Sequence, residues 1–296
     1  MRIWPMILGV AAGAGGLALV RGERAVRKYY TETPPPTEHF HEEERPATTP
    51  MWRETRAGLE WLALRMSRIY RGDGVPRGDG DAVVVIPGFL VNDFYLGELA
   101  GWLRRIGYRP YMSRIGLNAD CLDVLGDRLL RTIDEAYGAT RRPVHLIGHS
   151  LGGMFARSAA IRRPDRIASV TTLGSPIRGL RPHPLLITAQ AWVAARVHRR
   201  RGAQVERDCF TFACPCDAVR ALDHPIPPSL PQLSVYTKDD GAVDWRYCVS
   251  DDPQANVEVR GTHLGLAFNA EVYRAIATRL ASASPRVATT GAAPAR

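Results

Sequence analysis

The sequence predicts an α/β fold, with a mostly parallel central sheet and helices on both faces. Two observations carry the prediction. From Asp81 onward, short and nearly unbroken apolar segments of strand length alternate with amphipathic segments of helical length. Strands buried on both faces read in this way, because neither face has to meet water. The second observation is a glycine-rich junction, VHLIGHSLGGMFARSA from Val144 to Ala159, where an apparent strand turns into an apparent helix around one serine.

Taken in order, Met51 to Tyr70 predicts a leading helix. Leu59, Leu62, Met66 and Ile69 recur at helical spacing with arginines opposite, a stripe expected to pack on the domain. A membrane surface is the alternative for that stripe. Ala82–Ile86 is a β-branched strand ending at Pro87-Gly88, Leu96–Ile106 a helix and Tyr108–Met112 a short strand. Asp120–Tyr137 carries Leu122, Leu125, Leu129 and Ile133 on one helical stripe. Val144–Ile147 is a strand, Gly152–Ile161 a helix stopped by Pro164, and Ile167–Leu173 a strand. Residues 177–231 read as an insertion whose Leu185–Val197 segment predicts an apolar helix ending in His198-Arg199-Arg200-Arg201. Strands at Leu233–Tyr236 and Val257–Val259 and one helix from Leu264 to about Ala281 complete a domain spanning 51–281. Residues 282–296 are small and polar and are expected to be disordered.

The amino-terminal part has a different composition. Ile3 to Val20 is free of charge, follows Arg2 and precedes Arg21, Glu23 and Arg24. Its length reaches the lower limit for a bilayer span, so residues 1–28 predict a membrane anchor, with a signal peptide as the alternative. Gly9, Gly13, Gly15 and Gly16 would penalise a soluble helix and are better tolerated in a membrane. The chain is therefore expected to be membrane-associated. Basic residues after the run favour a cytoplasmic domain, an exported domain requires the opposite, and both sides stay open. Residues 29–50, rich in Pro and Glu, have a linker composition.

The net charge is +9, but only Lys28 and Lys238 are lysines, a bias of the kind a GC-rich bacterial genome imposes. The basic residues are scattered and accompany no recognition motif, so nucleic acid is not an expected partner. Nothing in the sequence specifies an oligomeric state. Five cysteines are too few for a disulfide scaffold. One disulfide from Cys248 to Cys214 or Cys216, buried free thiols, or a zinc set of Cys209, Cys214, Cys216 and His224 are the readings they allow. The last has a spacing that fits no common zinc module.

Gly148-x-Ser150-x-Gly152, between strand and helix, is the pattern of a nucleophile elbow. A serine hydroxyl needs a base to take its proton, and an acid must orient that base. His263, in the loop between the last strand and the last helix, is the expected base, with His224 its competitor. The acid is expected after the strand at Leu233–Tyr236, with Asp240 first, Asp244 second and Asp239 third. His39 and His41 lie in the linker, His145 and His149 are expected to point elsewhere, and His183 and His198 fall in the insertion. An oxyanion needs two N–H donors, here expected from Leu151 and from Phe89 in Pro87-Gly88-Phe89.

These residues together resemble the α/β-hydrolase superfamily on its lipase and esterase side, over about residues 80–280. The motifs that carry the resemblance are Pro87-Gly88-Phe89, Gly148 to Gly153, Leu173-Gly174-Ser175-Pro176, Tyr236 to Trp245, and His263. The resemblance implies an α/β-hydrolase fold and a serine hydrolase that cleaves an acyl ester or lipid through an acyl-enzyme, without metal or organic cofactor. It supports Asp240, which stands before a Gly-x-Val, and implies that 177–231 is a cap or lid. Many lipases carry His-Gly where this chain has Pro87-Gly88, which loosens any substrate assignment. An acyltransferase or thioesterase on the same triad, or a non-catalytic membrane-tethered scaffold, are the alternatives.

Overall fold

The computed structural model describes residues 50–179, 182–202 and 214–283. Six strands, β1 (Ala82–Ile86), β2 (Arg109–Met112), β3 (Val144–His149), β4 (Ile167–Leu173), β5 (Gln232–Tyr236) and β6 (Asn256–Glu258), form one sheet. Their order is β2-β1-β3-β4-β5-β6, and every neighbouring pair is parallel. The chain leaves β1 toward one edge and β3 toward the other. The crevice beyond the carboxyl ends of β1 and β3 is therefore a topological switch point, the place where open α/β sheets bind ligands.

Eight helices accompany the sheet in the described residues: α1 (Ala57–Met66), α2 (Arg68–Arg71), α3 (Gly97–Arg105), α4 (Leu122–Thr140), α5 (Leu151–Arg162), α6 (Pro184–Arg201), α7 (Asp217–Arg220) and α8 (Ala270–Ala283). The continuous apolar strands are divided between two cores by the twofold alternation of side chains along a strand. Val84 and Ile86 pack with Leu125 and Leu129 of α4 and Phe155 of α5. Val83 and Val85 pack with Leu99 and Leu103 of α3 and Ile276 of α8. On that second face the Trp102 indole donates to the Ile69 carbonyl at 2.8 Å and lies 4.5 Å from the Tyr273 ring, fastening α2, α3 and α8 together.

The structure corrects the leading helix. Of the expected stripe only Ile69 is buried, whereas Leu59, Leu62 and Met66 are exposed. Two causes are visible. The helix breaks at Ser67, whose extended backbone starts α2 and whose hydroxyl accepts from Tyr70 N–H, so Ile69 belongs to a different helix. The docking of α1 is also partly polar: Glu60 accepts from Thr262 N–H at 2.9 Å and Thr262 Oγ1 at 2.8 Å, so this face turns inward and the leucines turn out. The final helix is corrected too. Residues Leu264–Phe268 form a 3-10 turn, and α8 begins only after Asn269, whose Oδ1 accepts from Glu271 N–H and Val272 N–H. α8 continues through Ser282 and Ala283, into the segment expected to be disordered; residues 284–296 lie outside the described residues.

In the insertion, α6 is a packed helix. Val193 and Val197 enter the main core, and Arg201 forms a two-point ion pair with Asp120, both contacts at 2.6 Å. No helix among the described residues is long and apolar enough to cross a membrane, and the anchor and linker expected at 1–49 lie outside them. Cys121, Cys214, Cys216 and Cys248 are all buried, and Cys209 lies outside the described residues. Cys248 is a free thiol whose pKa burial pushes well up, so neither disulfide considered for it forms.

Candidate active site at the carboxyl end of β3

The site begins with a backbone that few residues tolerate. Ser150 joins β3 to α5 at φ 53° and ψ −123°, a conformation that costs on the order of 1–3 kcal/mol and persists only where the surroundings impose it. The surroundings here are glycines. A Cβ on Gly148 would lie 2.3 Å from the Gly152 carbonyl group, and one on Gly152 would lie 2.2 Å from the Ile86 carbonyl oxygen. Strand, turn and helix can meet this closely only if both positions lack a side chain. Ser150 N–H is fixed to the Leu173 carbonyl at 2.8 Å, Gly153 N–H donates to the Ser150 carbonyl at 2.9 Å, and the amino end of α5, with its positive dipole end, starts at Leu151. Gly152→Ala is expected to destabilise the protein by about 3 kcal/mol or more through overpacking against backbone, read as a lower denaturant midpoint at unchanged slope.

The loop after β1 lies against this turn. A Cβ on Gly88 would come within 3.1 Å of Ser150 Cβ and 3.0 Å of His149 Nδ1, so Phe89 leaves the strand directly beside the serine. Asn118 holds the loop by its backbone. Its side-chain amide donates to the Pro87 carbonyl at 2.9 Å, its carbonyl accepts from Leu90 N–H at 3.0 Å, and its N–H donates to Val91 O. Sequence reasoning missed Asn118, because nothing local distinguishes Leu117-Asn118-Ala119 from any polar loop.

His263 and Asp240 meet. His263 Nδ1–H donates to Asp240 Oδ2 at 2.6 Å, and both side chains are almost fully buried. The other oxygen, Oδ1, accepts from Ala242 N–H and Val243 N–H, each at 2.8 Å, which fixes the carboxylate in its loop. With Nδ1–H committed to Asp240, a neutral His263 keeps its lone pair on Nε2. Burial pulls the His263 pKa down, but the charge and hydrogen bond of Asp240, with the Glu54 carboxylate adding to them, leave it raised above the ordinary imidazole value. The His263 ring also lies 4.9 Å from that of His149, the neighbour of Ser150, and a Cβ on Gly174 after β4 would come 3.0 Å from His263 Nδ1.

The competing residues are occupied elsewhere. Asp244 caps the turn Trp245–Cys248 and makes a two-point ion pair with Arg246. Asp239 is half-exposed and pairs with Arg53 at 3.2 Å. His224 is exposed in its loop, and His183 accepts from Leu185 N–H at the start of α6. Among the described residues no group of three or more His, Cys, Asp or Glu is placed to hold a metal ion.

His149 differs from its expectation. It does not point away from the site. Its Nε2–H donates to the His263 carbonyl at 2.9 Å, so it supports the histidine loop from beneath. Burial drives its pKa down to about 3 and that of His145, bonded to Ser169 Oγ, to about 4. Both stay neutral in the folded protein and take up protons in the unfolded chain below about pH 6.5. The unfolded state then binds more protons, so stability falls as pH drops from about 6.5 toward 4, by about 1.4 kcal/mol per pH unit for each group. A thermal midpoint that falls over this range, less steeply in His145→Asn, is expected; a flat profile would contradict the neutral assignments.

Comparison with known proteins agrees with this architecture. A family model described as alpha/beta hydrolase fold matches residues 128–216. A triacylglycerol lipase of Pseudarthrobacter phenanthrenivorans is 46% identical over 106 residues, 33% of this chain and 33% of that protein. One of Burkholderia plantarii is also 46% identical over 106 residues, 33% of this chain and 30% of that protein. The chain thus spans about a third of the length of the curated relatives it matches. Among solved structures, the Bacillus licheniformis lipase BlEst2 in its propeptide form is 16% identical, with a TM-score of 0.50 over 74% of this chain and 54% of that one.

Proposed function

We propose that this chain, which has the α/β-hydrolase fold, is a serine hydrolase that cleaves carboxylic esters through an acyl-enzyme. The observation that carries the reading is the buried His263–Asp240 hydrogen bond at the same end of the sheet as the strained Ser150 turn. The Ser150 oxygen attacks the ester carbonyl carbon while its proton passes to His263 Nε2. Asp240 holds the tautomer that leaves Nε2 open and stabilises the imidazolium. The N–H groups of Leu151 and Phe89 take the oxyanion as the tetrahedral intermediate forms. Collapse breaks the ester C–O bond, and His263 returns its proton to the leaving alcohol. Water, deprotonated by His263, then attacks the acyl-enzyme and releases the acid and Ser150.

A lipid ester is the substrate class we favour, because the relatives matched over residues of this chain are named triacylglycerol lipases. Attachment to a membrane through residues 1–28 belongs to the same proposal, supported by the uncharged run Ile3–Val20. The test is a series of glycerol and p-nitrophenyl esters of increasing acyl length, offered to the full chain with and without detergent micelles. Stoichiometric release of the carboxylic acid is expected. Transfer of the acyl group to an added alcohol or thiol in preference to water would replace this reading with an acyltransferase on the same residues. No turnover of any ester would overturn it.

A further inference from the structure

Two of the three residues assigned to the chemistry sit on separate loops, one after β5 and one after β6, and their 2.6 Å contact requires those loops to keep register. A carboxylate from outside the sheet joins them. Glu54 lies in the 3-10 turn Met51–Arg56, ahead of α1, and is only 7% exposed. Its Oε1 accepts from Gly241 N–H at 2.9 Å and from His263 N–H at 3.1 Å, and its Oε2 accepts from Leu264 N–H at 2.8 Å. Gly241 is one peptide from Asp240, and the other two donors belong to His263 and its successor. We propose that Glu54 is a positioning residue, which sets the Asp240–His263 geometry by clamping both loops through their backbone; the proposal rests on the roles assigned to those residues above.

The chemistry of the clamp supports this. A buried carboxylate is tolerated where several N–H donors satisfy it, and charge-assisted bonds of this kind are shorter and stronger than neutral ones. Three donors on two loops hold relative position better than any single bond, and a displacement of about 1 Å in a reacting group costs up to about 100-fold in rate. Neighbouring contacts restrain the same loops. Glu60 holds Thr262, Thr237 Oγ1 donates to Gly261 O at 2.7 Å, and Tyr95 OH donates to Leu264 O at 2.6 Å. Among the described contacts, Glu54 alone accepts N–H groups from both loops.

Glu54 also acts on His263 through its charge. The titratable groups around His263 are Asp240 in the acid loop, Glu54 and Glu60 from the leading segment, His149 at the end of β3, and Tyr95 before α3; the Asp240 charge also reaches Cys248. The Glu54 charge favours the imidazolium. Removing it lowers the His263 pKa, so the acid limb of the kcat/KM profile moves to lower pH. A packing role alone would leave that limb in place.

The experiment compares the full chain with Glu54→Gln and Glu54→Asp, with active sites titrated by a fluorophosphonate in each preparation. Per titrated site, Glu54→Gln is expected to lose about 10- to 100-fold in kcat with KM changed by less than about threefold, and to shift its acid limb to lower pH. Glu54→Asp, which keeps the charge but shortens the reach, is expected to lose kcat with its acid limb at the wild-type position. Wild-type kcat per titrated site, or an unmoved limb in Glu54→Gln, would overturn the proposal. Should Glu54→Gln not fold, Glu54→Asp decides: reduced kcat at an unshifted limb supports the clamp, and unchanged kcat overturns it. A wild-type protein that takes no label overturns the functional reading beneath it, a result distinct from either of these.

Discussion

Ser150→Ala is expected to lower kcat for ester hydrolysis by about 10,000-fold or more, with the thermal midpoint close to that of the wild type. The size of the effect follows from the mechanism. Removing the nucleophile removes the acyl-enzyme route, and what remains is the modest acceleration that oxyanion donors and binding can provide. The stability expectation follows from the structure. The strain at Ser150 lies in its backbone and is imposed by β3, α5 and the glycines between them, so an alanine inherits the same conformation. Initial rates on a short-chain p-nitrophenyl ester, read beside a melting curve, check both parts. Turnover within about tenfold of wild type would remove Ser150 from the chemistry.

Asp240→Asn is expected to cost nearly as much, about 10,000-fold in kcat, because an amide in place of the carboxylate favours the wrong imidazole tautomer. The informative partner is Asp244→Asn. Asp244 is as buried as Asp240, but its carboxylate serves Arg246 and the cap of the following turn. Its loss breaks a nearly buried two-point ion pair and is expected to destabilise the fold by about 3–5 kcal/mol, without changing turnover per titrated site. The two aspartates therefore separate on different axes, one on rate and one on stability. Asn at 240 turning over normally while Asn at 244 does not would move the acid to Asp244.

How much of the fold and the site is legible in the sequence depends on the reach of each interaction. The strands β1, β3 and β4 and the helices α3 to α5 are readable because burial writes itself locally, as nearly unbroken buried strands and helical stripes such as Leu122, Leu125 and Leu129. The elbow was readable for a similar reason: Gly148, Ser150 and Gly152 are needed within one turn, so the whole requirement fits in five residues. Asp240 and His263 could be nominated from their loops, although their contact spans 23 residues. Glu54 could not be found this way. Its donors lie 187 to 210 residues along the chain, and a glutamate in Trp52-Arg53-Glu54-Thr55 reads as a solvated helix face. The same contact explains the misread leading helix. Periodicity assumes that a helix docks by its apolar stripe, whereas this segment docks partly through Glu54 and Glu60 and leaves Leu59, Leu62 and Met66 exposed. The role of His149 is not legible locally, because strand alternation gives the side of the sheet but not what the loop after β6 brings to it. Asn118, which grips the loop carrying Phe89, is likewise a long-range partner, 31 residues from Pro87.

Covalent trapping asks whether Ser150 is a nucleophile activated by His263. A fluorophosphonate is attacked by an activated serine with loss of fluoride, leaving a phosphonyl adduct that mass spectrometry can place on a peptide. A single adduct is expected on Ser150 in the wild type, with much slower labelling in His263→Ala and none in Ser150→Ala. Labelling of Ser150→Ala at the wild-type rate, or no adduct on the folded wild-type chain, would contradict it.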